Sequence, residues 1–297
     1  MKILITGATG FTGKRVLPLL RGRGAVRCLV RPGGNAELIA RHGYEASIGD
    51  LGDVASLTHA MSGCDALINL ASIGFGHTPG IIRASEKAGI RRVVFISTTA
   101  IFTKLNASSK QIRTQAEAHI QSSNLEWTIL RPTMIYGAPD DRNIIRLIKF
   151  LDRFPAMPVL GNGGRLQQPV YVEDVAKAAV DALFNEGTQR RAFNISGKRP
   201  NTFNEVIDIT AAALGKKIRK VRVPYKLALF GARVYEALCP NPRIKAEQVM
   251  RINEDKAFDH SEAQCVFGFD PRSFEDGIRE EVGLYRAMQG TPRRSLS

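Results

Sequence analysis

Gly7, Gly10 and Gly13 recur at three-residue intervals in Thr6-Gly-Ala-Thr-Gly-Phe-Thr-Gly13. They follow a strand-like run at residues 2–5 and precede helical spacing through Val16, Leu17, Leu19 and Leu20. Glycines let a backbone turn tightly and approach a bound group, and a helix N-terminus offers unpaired N–H groups and the positive end of its dipole. The chemistry this order suits is the holding of a pyrophosphate, and the strand–turn–helix context carries more weight than the triplet itself. The other reactive side chains promise less. Cys28, Cys64, Cys239 and Cys265 show no metal-ligand spacing. The first two lie in or beside apolar runs and are expected as small core residues, with neither disulfides nor a metal site. His42, His59 and His119 fall on helical patterns and read as surface. His77, in the glycine-rich stretch 74–80, is the candidate substrate contact, and His260 has no thiol or carboxylate constellation around it.

Short β-rich runs at 2–6, 25–30, 44–48, 66–70, 92–97 and 127–130 alternate with helical patterns at 12–21, 36–41, 54–61, 80–87 and 110–121. Strands of this length alternating with helices imply right-handed βαβ units and a parallel sheet covered on both faces. The continuous apolar run Val93-Val94-Phe95-Ile96 suits such doubly buried strands. Ligands of these sheets bind beyond the carboxyl ends of the strands, where the winding reverses. Those ends are residues 7–13, Arg31, Asp50, Ala71-Ser72, 97–99 and 131–133. Later the rhythm changes. Residues 155–169, rich in Pro and Gly, read as loop; 172–184 read as helix and 192–195 as strand. Thr202-Phe-Asn-Glu205 is a capping box opening a helix. A basic strand at 216–223 precedes an apolar helix at 225–238, helical pieces run on to about 288, and 291–297 read as a frayed tail.

At 297 residues the chain can bury a large core. It has no apolar run long enough to span a membrane, and a strand starting at residue 2 leaves no room for a cleavable leader, so a reduced, cytoplasmic protein is expected. The net charge of +14 is spread over every third of the chain. That suits an anionic small molecule better than a nucleic acid, for which no zinc-finger spacing or aromatic RNA-binding motif is present. The cations of 216–222 beside the apolar 225–238 make 216–238 the candidate for peripheral contact with an anionic membrane.

Together, Thr6-Gly-Ala-Thr-Gly-Phe-Thr-Gly13, Gly49-Asp-Leu51, Asn69-Leu-Ala71, Phe95-Ile-Ser-Thr-Thr99, Leu130-Arg-Pro-Thr133, Tyr136-Gly137, Val170-Tyr-Val-Glu-Asp-Val175 and Gly268-Phe-Asp-Pro271 resemble the short-chain dehydrogenase/reductase superfamily. The likeness is to its extended and atypical branches, of the NAD-dependent epimerase/dehydratase type, and covers nearly the whole chain. It implies an α/β fold: a Rossmann-type doubly wound parallel sheet over 1–131, with 169–195 returning to it. A smaller substrate lobe would come from 132–168 and 196–290. It further implies that Gly7, Thr9, Gly10, Phe11 and Thr12 wrap the pyrophosphate while Gly13 packs the helix on the sheet. Asp50 and Leu51 would meet the adenine, and Ala71 and Ser72 the adenosine ribose and pyrophosphate. Ser97, Thr98 and Thr99 with Pro132 and Thr133 would flank the nicotinamide. In NAD-specific relatives an acidic residue closes the second strand and binds the ribose hydroxyls. Here Arg31 stands there, a partner for a 2′-phosphate, so NADP is expected over NAD.

The chain departs from the superfamily at its catalytic Tyr-x-x-x-Lys. Counting back from Glu117, the Tyr position holds Ser109 and the Lys position Arg113, and no tyrosine lies between Tyr44 and Tyr136. A serine hydroxyl titrates far too high to replace a phenol, and an Arg does not release a proton at neutral pH. Thr99 remains to orient the reacting oxygen and Arg113 to hold ribose or phosphate. Lys110, Tyr136 or a water would carry protons, with Tyr171 a further phenol. Two readings result. One is an NADP(H)-dependent reductase or epimerase-like enzyme acting at a carbonyl or alcohol carbon, with a nucleotide sugar as one substrate class. The other is a catalytically silent NADP(H)-binding sensor or scaffold.

Overall fold

Seven parallel strands form the centre of the computed structural model, which describes residues 1–105, 108–239 and 246–290. The tail expected at 291–297 lies outside the described residues. In chain order the first half runs β1 (Lys2–Thr6), α1 (Gly13–Leu19), β2 (Ala25–Val30), α2 (Ala36–Arg41), β3 (Glu45–Ile48), α3 (Val54–Met61) and β4 (Ala66–Asn69). It continues through α4 (Thr78–Ala88), β5 (Arg92–Ile96), α5 (Ser108–Gln121) and β6 (Glu126–Pro132). The second half holds β7 (Ile135–Tyr136), α6 (Ile144–Arg153), β8 (Ala156–Leu160), β9 (Leu166–Gln167), β10 (Val170–Tyr171), α7 (Val172–Phe184), β11 (Arg191–Ile195) and β12 (Asn201–Thr202). It ends with α8 (Phe203–Ala213), β13 (Arg219–Val223), α9 (Tyr225–Leu238), α10 (Ala246–Ile252), α11 (Ser261–Phe267) and α12 (Phe274–Gly290).

The central sheet has the order β11-β6-β5-β4-β1-β2-β3, all parallel. The winding reverses between β1 and β4, so the crevice beyond their carboxyl ends is the switch point at which such sheets bind ligands. Alternate strand residues point to opposite faces. Ile3 and Ile5 therefore join a core shared with α1 and α7, while Leu4, Leu67 and Val93 join a second core shared with α3, α4 and α5. Both faces are dry, which is why these strands read as unbroken apolar runs. Cys28 and Cys64 lie buried in these two cores, and all four cysteines are free thiols. Burial pushes the Cys28 thiol up to about 12. Arg92 at the start of β5 donates to the carbonyls of Ala182 and Leu183 at the end of α7, which pins the returning helix to the sheet.

Residues 155–169, read from sequence as loop, are partly strand. β8 pairs in parallel with β13, and β9 pairs antiparallel with β12. Pro and Gly hid them because β8 is a strand of a two-stranded sheet that tolerates Pro158. The capping box at Thr202 is present, with Glu205 accepting from the Thr202 N–H at 2.6 Å and the Thr202 hydroxyl accepting from the Glu205 N–H. A third core joins α6, α8 and α12 around Tyr136 and Tyr171. No helix among the described residues is long and apolar enough to cross a membrane.

Candidate functional site

The turn after β1 is held tight by its own backbone. Gly10 N–H donates to Gly7 O at 2.9 Å and Lys14 N–H to Gly10 O at 3.1 Å. Gly7 sits at φ +71°, and a Cβ there would come within 3.0 Å of Ala71 N, so this glycine lets the turn press against the end of β4. A Cβ on Gly13 would fall 2.2 Å from Gly7 O, which means α1 is seated directly on the turn. Thr12, at the cap position of α1, makes no side-chain bond to the helix, so its own hydroxyl does not occupy the N-terminus.

Beyond the strand ends lies a cleft of about 1150 Å³. One wall is Thr9, Gly10, Phe11 and Thr12 from the turn, with Ser72 after β4 and Ser97, Thr98 and Thr99 after β5. Thr133 closes this wall, its hydroxyl donating to Gln168 O at 2.5 Å; Pro132 is the last residue of β6, and its carbonyl accepts from the Thr99 hydroxyl at 3.4 Å. Ala71, beside Ser72, has its carbonyl bound by the Asn69 amide at 2.9 Å. Beneath these hydroxyls is a buried ionic cluster. Ser97 donates to Glu117 at 2.5 Å, and Arg131 binds both carboxylate oxygens of Glu117. The cluster fixes α5 against the ends of β5 and β6.

The opposite wall comes from a stretch that carries little sign of it in its residues. Glu254 accepts from the Thr103 hydroxyl at 2.5 Å and the Lys104 N–H at 2.8 Å, and Phe258 packs on Phe102. These contacts dock residues 251–258 across the cleft, where Arg251, Lys256 and Arg165 join its lining. Arg113 of α5 lines it too, tight against the loop at Gly74. Burial lowers the Arg113 guanidinium below its ordinary range, and Arg251 nearby adds to the effect. Burial and then Arg251 likewise pull Lys256 below the usual lysine range, offset in part by Glu254. The mixed-charge run Arg251-Ile-Asn-Glu-Asp-Lys256 was the sole local signal for this wall. The loop after β7 completes the rim through Asp140, which is paired with Lys14 at 3.4 Å and Arg15 at 3.3 Å.

Several expected site residues stand elsewhere. The Lys110 ammonium donates to Thr103 O at 2.6 Å and lines a separate small hollow on the outer side of the 103–105 turn. Tyr136 is wholly buried between Tyr171 and Phe274, and burial drives its phenol far above the ordinary range. Ser109, at the superfamily's Tyr position, is not part of the cleft lining. His77 lies against Gly52 and the Asp50 loop. Asp50 accepts from Gly52 N–H at 2.8 Å in the exposed loop after β3, and Leu51 packs on the second core. Arg31 is exposed and forms no ion pair among the described residues. Gly49 N–H, bonded to Val30 O at 3.0 Å, sets the Asp50 loop beside it.

The NAD(P)H-binding family model matches residues 7–186, more than half of the chain. The chain belongs to that family. Its cofactor is accordingly a nicotinamide dinucleotide, and the resemblance to epimerase/dehydratase-type short-chain dehydrogenases holds. N-acetyl-alpha-D-glucosaminyl-diphospho-ditrans,octacis-undecaprenol 4-epimerase of Escherichia coli O157:H7 is 24% identical over 274 residues, 80% of this chain and 79% of that one. A photosystem II assembly factor of Trieres chinensis is 23% identical over 248 residues, 79% of this chain and 76% of that one. The solved UDP-glucose 4-epimerase of Thermotoga maritima, with UDP-glucose, superposes with a TM-score of 0.75 at 18% identity. The match covers 97% of this chain and 100% of that one, and it shows the shared fold. The residues here fit the cofactor: the uncapped N-terminus of α1 and the tight glycine turn form one wall of a cleft at the switch point.

Proposed function

We propose that this protein is an NADP(H)-dependent oxidoreductase of the epimerase/dehydratase type, acting at a carbonyl or alcohol carbon of an anionic small molecule such as a nucleotide sugar. The observation that carries this is the two-walled cleft. Its sheet side offers the glycine turn, a row of hydroxyls and Arg113, and its far side offers Arg251 and Lys256. When bound, the nicotinamide supplies or accepts the hydride. Gly7, Thr9, Gly10, Phe11, Thr12, Ala71 and Ser72 hold the dinucleotide's phosphates and ribose, and Arg31, exposed at the end of β2, pairs with a 2′-phosphate. Thr99 orients the reacting oxygen. Arg113 and Arg251 hold the substrate's negative charge, and docking of 251–258 keeps water from the reacting carbon. Lys256 is the cleft group whose burial eases proton release, and it serves as acid, directly or through a water. Residues 1–131 with 169–195 form the cofactor unit; 132–168 and 196–290 form the substrate lobe.

One observation favours a second reading. Ser109 and Arg113 replace the superfamily's Tyr and Lys, Lys110 is tied to Thr103 O, and Tyr136 is sealed in the core. A protein that binds the dinucleotide tightly and turns nothing over, as a sensor or assembly scaffold, fits these facts. NADPH oxidation across a panel of carbonyl compounds and nucleotide sugars separates the two. Turnover that Lys256→Met and Thr99→Ala both diminish supports the enzyme; tight binding without turnover on any member of the panel supports the scaffold.

A further inference from the structure

Leu227, Phe230, Val234 and Leu238 follow one another along α9 at three- and four-residue intervals, which stands them on one face of the helix. That face is in solvent: Leu227 is 62%, Phe230 67% and Leu238 79% exposed. The opposite face already serves the fold, because Ala232, Ala228 and Leu229 pack with Leu160, Ala246 and Val249. The outer stripe is therefore surplus to folding. It is bordered by Lys226 and Arg233, both exposed, and bears no acidic residue. Glu236 lies on the inner side, where it accepts from Ala246 N–H at 3.0 Å. The preceding strand adds Arg219, Arg222 and a further exposed apolar residue, Val221.

We infer that the outer face of α9, with the cations beside it, is a docking surface for an anionic phospholipid membrane. The helix would lie in the interfacial plane, its Leu and Phe side chains entering the acyl boundary and its Lys and Arg meeting lipid phosphates. Apolar contact and cationic flanks act together in such binding, and each alone is weak. The charge complementarity decides the occupant. A second copy of this chain would bring the same cations against themselves, whereas an anionic bilayer neutralises them and covers the stripe without a shaped partner. None of its residues lines the cofactor cleft, so this inference stands or falls independently of the proposed activity.

The test is co-sedimentation of the full chain with phosphatidylcholine vesicles, with and without phosphatidylglycerol. Binding is expected to the anionic vesicles, to weaken as salt rises, and to be slight with neutral ones. Leu227→Asp with Phe230→Asp is expected to lower the partition coefficient by about a hundredfold with the thermal midpoint unchanged, since each lost apolar insertion is worth roughly a factor of ten. Lys226→Glu with Arg233→Glu is expected to abolish the preference for anionic lipid. No binding at low salt, equal binding to both vesicles, or binding indifferent to the apolar pair would overturn the inference. So would a concentration-dependent dimer, seen by sedimentation equilibrium, that Phe230→Asp dissolves.

Discussion

The glycine turn and the 251–258 segment face each other across one cleft, yet they are made by opposite means. The turn is set by strands sealed on both faces, by backbone bonds within the turn and by the buried Ser97–Glu117–Arg131 cluster beneath its neighbours. The far wall is held by contacts reaching out to other elements: Glu254 to Thr103 and Lys104, Phe258 on Phe102, Asp255 with Arg165 and Leu166, and the backbone of Lys256 and Phe258 bonded to Leu166 and Gln168. The first region is over-determined and generic to dinucleotide binding. The second carries cations of the cleft, Arg251 and Lys256. A fold can thus keep its cofactor and change its substrate.

Substitutions can break that contrast. The largest loss is expected at Glu117→Ala, which leaves Arg131 and Ser97 facing an empty buried site; denaturant unfolding should show about 3–5 kcal/mol of lost stability. Gly13→Ala forces a Cβ to within 2.2 Å of a backbone oxygen. It is expected to cost about 2–3 kcal/mol and to lower NADPH affinity with it, as read by unfolding and by titration.

The same contrast explains what the sequence disclosed. The strands at 2–6 and 25–30 and the helices at 36–41 and 54–61 were legible to the residue, because doubly buried strands write short apolar runs, and helices a period, into the chain. The glycine turn was legible from Gly7, Gly10 and Gly13 set between the first strand and helix. The far wall was not, since Arg251 and Lys256 reach the cleft through long-range docking that leaves no period. Nor was the sealing of Tyr136, which depends on Tyr171 and Phe274, distant in sequence. The short strands β8 and β9 were lost among Pro and Gly.

Smaller effects sharpen the contrast within the lobe. Glu281 is wholly buried, and burial and the neighbouring Asp141 carboxyl push it from an ordinary 4.5 up to about 9. The folded protein therefore keeps a proton that the unfolded chain releases above 4.5. This term is neutral below that value, and stability is lost progressively as pH rises toward about 9. Glu281→Gln is expected to remove that loss, raising the thermal midpoint by at least about 2 °C at alkaline pH and little in acid, as melts across the range would show. The least effect is expected at Phe230→Asp, within about 0.5 kcal/mol by denaturant unfolding, because its side chain supports nothing in the core.

Calorimetric titration of the purified chain with NADPH and then NADH tests the central claim most directly. Saturable binding of both, tighter for NADPH, is the predicted result; tighter NADH would reject the role given to Arg31. An absence of heat with either nucleotide, at concentrations where the protein is folded, would contradict the account at its root.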